Sequence, residues 1–143
     1  MIVGTLILNP TKQNIISLAK GKFDFMLLDF QHSAFTWEIA DFVIETVYTY
    51  TDKKIWIRVS NNNFADINKA YDIGADAVVV PLIDTISDLK NCINAARYKP
   101  LGNRSWGPVR LRENYHSYED YFNNAHSTQL LFPQIESLQG LNN

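Results

Sequence analysis

The sequence has one cysteine, Cys92, so no internal disulfide can staple it and a reducing compartment is its natural setting. It has no excess of charge of either sign. Thirteen Lys and Arg against 15 Asp and Glu give a formal net charge of -2, and the pI is near 5.9. That balance argues against binding to nucleic acid or to an acidic membrane surface. No long hydrophobic run is present. The opening Met1-Ile2-Val3-Gly4-Thr5-Leu6-Ile7-Leu8 is apolar but short, and no basic stretch precedes it. It reads neither as a signal peptide nor as a membrane span. Low-complexity tracts and flexible linkers are lacking as well. The expectation is a cytoplasmic protein with no membrane or nucleic-acid partner, folded as a single domain over residues 1–143. Hydrophobic residues at 46% and charged residues at 20% suit a globular chain long enough for a real core.

What the chain does have is a repeated strand–helix rhythm. Its organising stretch is Phe23-Asp24-Phe25-Met26-Leu27-Leu28-Asp29-Phe30-Gln31-His32-Ser33, an apolar run that stops at an acid with a histidine close behind. A run this short and this rich in large apolar residues reads as a parallel strand buried on both faces. Before it, Val3 to Leu8 reads as a strand and Thr11 to Lys20 as a helix, ended by Gly21. After it, Thr36 caps a helix with Ile39, Phe42, Val43 and Val47 on its inner face. Ile55 to Val59 is a further strand, and Asn63 then caps a helix with Ile67, Ala70 and Tyr71 inward. Gly74 is the expected left-handed stop. Ala77 to Ile83 is the next strand, and a helix beginning at Thr85 and Asp88 turns Leu89, Cys92, Ile93 and Ala96 inward. A long loop rich in glycine and proline follows, with a polar helix from about Tyr115 to Ala125. Leu130 to Glu136 closes the series as a fifth strand.

Successive strand–helix units imply a parallel sheet with right-handed crossovers. The first strand–helix turn, Leu8-Asn9-Pro10-Thr11, lacks the glycine-rich fingerprint of dinucleotide binding. The pattern leaves two folds level: a small open α/β domain, or the first part of a (β/α)8 barrel, which in full takes ~250 residues. Either way, the residues just past the C-terminal ends of the strands line the binding crevice. Asp29 with His32, Arg58, Asp84 and Glu136 fall there, and Arg104 in the long loop is a fifth candidate. Together the strand-end groups offer a base, a guanidinium and two or three carboxylates to an anionic substrate and a hard divalent cation. Elsewhere, His116 and His126 read as solvated loop histidines and Cys92 as packing. Trp106 either closes over a ligand or pins its loop. Arg97, Lys99, Arg104, Arg110 and Arg112 form a loose basic cluster that is either a solvated face or an attractor of anionic substrate.

An ordered set of short segments is more specific than any one of them. It comprises Phe23-Asp24-Phe25 into Leu28-Asp29-Phe30-Gln31-His32, Ile57-Arg58-Val59, Gly74-Ala75-Asp76-Ala77-Val78-Val79-Val80-Pro81, Ala95-Ala96-Arg97-Tyr98 through Gly102-Asn103-Arg104, and Gln134-Ile135-Glu136. In this the chain resembles the metal-dependent pyruvate aldolases of the HpcH/HpaI family, within the phosphoenolpyruvate/pyruvate barrel superfamily. Members include 4-hydroxy-2-oxoheptanedioate and 2-dehydro-3-deoxyglucarate aldolases. The resemblance implies an α/β chain of the (β/α)8 TIM-barrel type, truncated after about five strands. It implies reversible aldol cleavage of a 4-hydroxy-2-oxo acid to pyruvate and an aldehyde, with Mg²⁺ or Mn²⁺, or Co²⁺, as cofactor, in a homo-oligomer.

By the same resemblance, His32 transfers protons and Asp29 orients it. Arg58 binds substrate and stabilises the enolate oxygen, Gln134 lies beside the substrate, and Glu136 ligates the metal. Two departures stand out. Gln31 occupies the family's glutamate position, which removes a negative charge from beside His32. The family's second metal carboxylate, in a later Gly-Pro-x-Asp-Leu segment, is missing from this chain. Two alternatives of other classes remain: a non-catalytic fragment that associates with another chain, and a citrate-lyase-like enzyme acting on a coenzyme A ester.

Overall fold

The computed structural model describes residues 1–110 and 116–143. Arg112 and Tyr115 lie outside the described residues. Along the chain run β1 (Gly4–Leu6), α1 (Lys12–Ala19), β2 (Phe25–Asp29), α2 (Trp37–Tyr50), β3 (Lys54–Arg58) and α3 (Phe64–Asp72). Then come β4 (Ala77–Val80), α4 (Ile86–Ala96), α5 (Tyr118–Thr128), β5 (Leu130–Pro133) and α6 (Leu138–Asn142). Each helix begins where a side chain can satisfy its orphan amides. Thr11, Thr36, Asn63, Thr85, Ser117 and Ser137 all act as N-caps, and Thr85 and Asp88 form a reciprocal capping box. The helix expected from Tyr115 starts at Tyr118 because Ser117 provides that cap.

The five strands form one sheet in the order β1-β2-β3-β4-β5, and every neighbouring pair is parallel. This order decides between the two folds. A doubly wound sheet reverses its strand order at a switch point, whereas strands laid down in sequence with right-handed crossovers put every connecting helix on one face. That is the winding of a (β/α)8-type barrel, here an arc of five parallel strands.

The two faces of the arc differ accordingly. Met26, Leu28, Ile55, Ile57, Val78 and Val80 face the helices and are fully buried. They pack with Ile15, Ala40, Val43, Ile44, Val47, Ile67, Ala70, Tyr71 and Cys92. On the other face, Phe25, Leu27, Trp56 and Val79 are half-buried and Phe132 is exposed. Phe25 stacks on Trp56 with centroids 3.6 Å apart, and Trp56 stacks on Phe132 at 4.7 Å. β2 is therefore buried on one face, not on both as its continuous apolar run suggests. Among the described residues no second layer of helices meets the inner face of the arc, and aromatic stacking covers part of it instead.

Helix faces show smaller corrections of the same kind. Phe42 and Ile93 are exposed, while Ile44 and Ala95 lie in the core. No helix among the described residues is long and apolar enough to cross a membrane.

Candidate active site

Strand register brings the site together. Asp29 and Arg58 end β2 and β3 and lie directly opposite one another, so their side chains leave the same face of the sheet at its C-terminal edge. Arg58 donates through Nε to Asp29 Oδ1 at 2.9 Å and through Nη2 to Oδ2 at 2.6 Å, a two-point grip between planar groups. The backbone N–H groups of Gln31 and His32 donate to the same Oδ1 at 3.0 and 3.4 Å. The hydrogen bonds from Arg58 hold the Asp29 carboxyl below the usual carboxylate range, against the opposing effect of burial. Arg58 is stabilised as a cation in turn, first by Asp29 and also by the nearby charge of Glu136.

Glu136 stands just past β5 and is exposed. Its Oε1 accepts from the backbone N–H of Leu82 at 3.0 Å and its Oε2 from Gln134 Nε2 at 2.6 Å. Asp29, Arg58, Gln134 and Glu136 are thus gathered on one edge. His32 is exposed beside them, and its link to Asp29 runs through its backbone rather than its imidazole. The side-chain oxygen of Gln31 is buried with no donor among the described residues. Asp84 accepts a hydrogen bond from Ser137 Oγ, which ties the turn after β4 to the cap of α6. Sequence reasoning missed three groups at this edge: Ser137, Ser33, whose hydroxyl donates to the Asp29 carbonyl, and the amide of Leu82. A serine just past a strand end is a recognisable turn signal, but nothing in Pro81-Leu82-Ile83 marks that amide.

Arg104 is a correction. It does not join this edge but is buried at the opposite end of the sheet, where its Nη1 donates to Gln129 at 2.7 Å and its Nη2 to Asp72 at 2.8 Å and to Tyr121 at 3.0 Å. The cause is the packing of its flat guanidinium between the rings of Tyr71 and Tyr98. Burial pushes the Asp72 carboxyl up despite that partner. His126 is a second correction: it lies on α5, edge-on to Tyr98 with centroids 6.0 Å apart, and burial pulls its basicity down. His116 is exposed. Trp106 contacts the rings of Tyr98, Tyr118, Tyr121 and Phe122 and so pins its loop. Cys92 is fully buried, and burial pushes its thiol up to about 11. Arg110 is neutralised by Asp41 and Glu45, so the basic cluster is in part paired. A cavity of about 390 Å³ opens far from the candidate edge, lined by Lys54, Asp76, Arg110 and Asp120 among others. Its lysine and its arginine are already ion-paired.

The residue types at the candidate edge suit a hard divalent cation, which takes carboxylate, carbonyl and water oxygens. Glu136 supplies one such carboxylate. Among the described residues no cluster of three or more His, Cys, Asp or Glu is placed to hold a metal ion. The chain therefore fits such an ion in kind of ligand and provides part of the set.

The profile of the HpcH/HpaI aldolase/citrate lyase family matches residues 7–143. This chain belongs to that family. Among curated relatives, a hydroxypyruvate/pyruvate aldolase of Pseudomonas aeruginosa is 30% identical over 126 residues, covering 87% of this chain and 47% of its own length. A 2-keto-3-deoxy-L-rhamnonate aldolase of Salmonella gallinarum is 28% identical over 87% of this chain and 47% of its own. A 4-hydroxy-2-oxo-heptane-1,7-dioate aldolase of Salmonella dublin is 25% identical over 88% of this chain and 48% of its own. The chain spans about half the length of the curated relatives it matches. In fold it is similar to an HpcH/HpaI aldolase from Desulfitobacterium hafniense, with a TM-score of 0.85 at 18% identity over 99% of this chain and 55% of that one. A citrate synthase gives 0.83 at 23% identity, over 99% and 54%. Like its relatives, this HpcH/HpaI chain is an α/β protein of the barrel type.

Proposed function

We propose that this chain carries the enolate-binding edge of a lyase that cleaves a 4-hydroxy-2-oxo acid reversibly to pyruvate and an aldehyde. The observation that supports this most is the convergence of Asp29, Arg58 and Glu136 at the C-terminal ends of β2, β3 and β5. Its kinship with named aldolases adds weight. In the cleavage direction, a base takes the proton of the 4-hydroxyl, the C3–C4 bond breaks, and its electron pair moves toward the 2-oxo oxygen. The aldehyde leaves, and C3 of the resulting enolate takes a proton to give pyruvate.

Charge builds on the oxo oxygen during this step. Arg58 is suited to meet it, because Asp29 occupies Nε and Nη2 and leaves Nη1 open among the described residues. Asp29 then acts by keeping the guanidinium aimed. His32, exposed beside the edge, is the group assigned to proton transfer. Glu136 is the residue that would hold a divalent ion, Mg²⁺ or Mn²⁺, with Gln134 steadying its carboxylate. When bound, such an ion supplies Lewis-acid polarisation of the substrate's carboxylate and oxo oxygens.

The test is pyruvate release from a 4-hydroxy-2-oxo acid with added Mn²⁺ or Mg²⁺, on this chain and on one extended through further barrel strands. The expected result is metal-dependent turnover that Arg58→Ala abolishes while the far-UV spectrum stays unchanged. Turnover at the wild-type rate in that variant would overturn the assignment. A second reading, association with another chain without catalysis, draws on the uncovered inner face, where Leu6 is 45% and Phe132 37% exposed. Self-association without turnover in either chain would favour it.

A further inference from the structure

The polypeptide just beyond β4 departs from a regular ladder at one residue. In a parallel pair, the residue facing Gln134 sends its neighbours' groups to it in turn. Gln134 N–H donates to the carbonyl of Val80 at 2.8 Å, so the N–H of Leu82 should donate to the carbonyl of Gln134. Instead the N–H of Ile83 does so, at 3.1 Å. Leu82 is the extra residue of a bulge, and its φ of 58° places it in the left-handed region. That conformation is unfavourable for a leucine and persists only where the surroundings enforce it. The amide released from the ladder points at Glu136, donating to Oε1 at 3.0 Å. Gln134 Nε2 holds the other oxygen at 2.6 Å.

We propose that Leu82 is a positioning residue: its bulged, left-handed backbone aims an amide that fixes the Glu136 carboxylate over the sheet edge, ready for a divalent cation. This rests on the assignment of Glu136 as the metal-holding residue. An untethered glutamate would spread over its rotamers and lose that freedom each time an ion bound. The bulge removes most of that loss in advance. It acts in the same way as the outer partners that orient metal-ligating carboxylates in general.

The experiment compares wild type with Leu82→Gly, Leu82→Val and Glu136→Ala in the ¹⁵N-labelled chain. Glycine accepts the left-handed backbone freely, whereas a β-branched residue opposes it most. Two readouts are taken: hydrogen exchange of the amide at position 82 without metal, and paramagnetic broadening of the amides at the edge as Mn²⁺ is added. The expected result is a protected amide and selective broadening in wild type and in Leu82→Gly. Leu82→Val should lose the protection and require about tenfold more Mn²⁺ for equal broadening. Equal broadening of Leu82→Val and wild type at one Mn²⁺ concentration would overturn the proposal, as would an exchange rate at 82 indifferent to Glu136→Ala. Broadening absent from wild type, or unchanged in Glu136→Ala, would instead remove Glu136 as the metal-holding residue. The exchange data would then still report whether the bulge holds the carboxylate.

Discussion

Removing the guanidinium of Arg104 should destabilise this chain more than its loop position suggests. The side chain has no exposed surface. It makes three hydrogen bonds of 2.7 to 3.0 Å, to Gln129, Asp72 and Tyr121. Its flat group lies 4.9 Å from the ring centre of Tyr71 and 4.5 Å from that of Tyr98. Alanine leaves Asp72, whose side chain is only 17% exposed, without its cation. Breaking one side of a buried pair costs about 3–5 kcal/mol. Arg104 Nε is buried without an acceptor among the described residues, which keeps the expectation toward the lower end. At roughly 3 °C per kcal/mol for a chain of this size, the melting temperature should fall by roughly 10 °C.

The pH dependence gives an independent check. Burial already raises the Asp72 carboxyl above its ordinary 3.8, and losing Arg104 raises it further. A raised carboxyl means that the folded state holds the extra proton, so the penalty is full above the folded value and is relieved as the pH falls. The Arg104→Ala defect should therefore be larger at neutral pH than near pH 4. Urea unfolding followed by far-UV circular dichroism measures both. Arg104→Lys, which keeps the charge but loses the planar fork, should recover only part of the loss. A defect below about 1 kcal/mol, the scale of an exposed pair, would refute the argument.

Three further outcomes are expected. Asp29→Asn should flatten the acid limb of the stability profile: the wild-type contribution is present above the ordinary value of 3.8 and is lost as the pH falls through the lower folded value. A profile unchanged below pH 4 would contradict the pairing with Arg58. Gly102→Ala should cost about 1–3 kcal/mol, because a Cβ there would lie 2.4 Å from the Arg97 carbonyl and 2.8 Å from that of Asn94. The urea midpoint reports it, and an unshifted midpoint would mean that the end of α4 yields. Cys92 should resist a maleimide at neutral pH in the folded chain and react once urea is added, since burial holds its thiol up to about 11; fast native labelling would contradict its place in the core.

Local signals carried much of this architecture. The caps at Thr36, Asn63 and Thr85 could be located in the sequence because a short hydroxyl or amide before an apolar helical repeat has few other uses. Strand ends at Asp29 and Arg58 were legible for a similar reason: an apolar run stopped by a charge marks where the ladder meets solvent. What escaped depended on partners distant in sequence. Arg104 sits in a loop of glycines and prolines, and nothing near it announces that Tyr71 and Gln129 will enclose it. Strand order was equally silent, since open and closed sheets share one strand–helix rhythm. The exposed side of Phe42 misled for the opposite reason. The buried stripe of α2 runs through Ala40, Val43, Ile44 and Val47, and at about 100° per residue Phe42 lies nearly opposite Ile44, outside it.

The sheet carries an aspartate–arginine pair at each end, and the contrast between the two bears on function. At the N-terminal end, the rings of Tyr71 and Tyr98 lie against Arg104, and burial outweighs the partner in setting the protonation of Asp72. That pair can hold the loop and α5 against α3, but no ligand reaches its guanidinium. At the C-terminal end, Arg58 is 19% exposed at its side chain. There the two-point contact and two backbone amides outweigh burial, so Asp29 stays ionised well below neutral pH. The result is a cation held in one orientation, permanently charged, and still presented to solvent beside Glu136. An anionic oxygen that develops during a reaction needs a donor already aimed and already charged, because reorientation at that moment would consume the stabilisation. Both arginines are aimed and charged, but only Arg58 is also open to solvent, and it is so at the edge where barrel-type sheets present their chemistry.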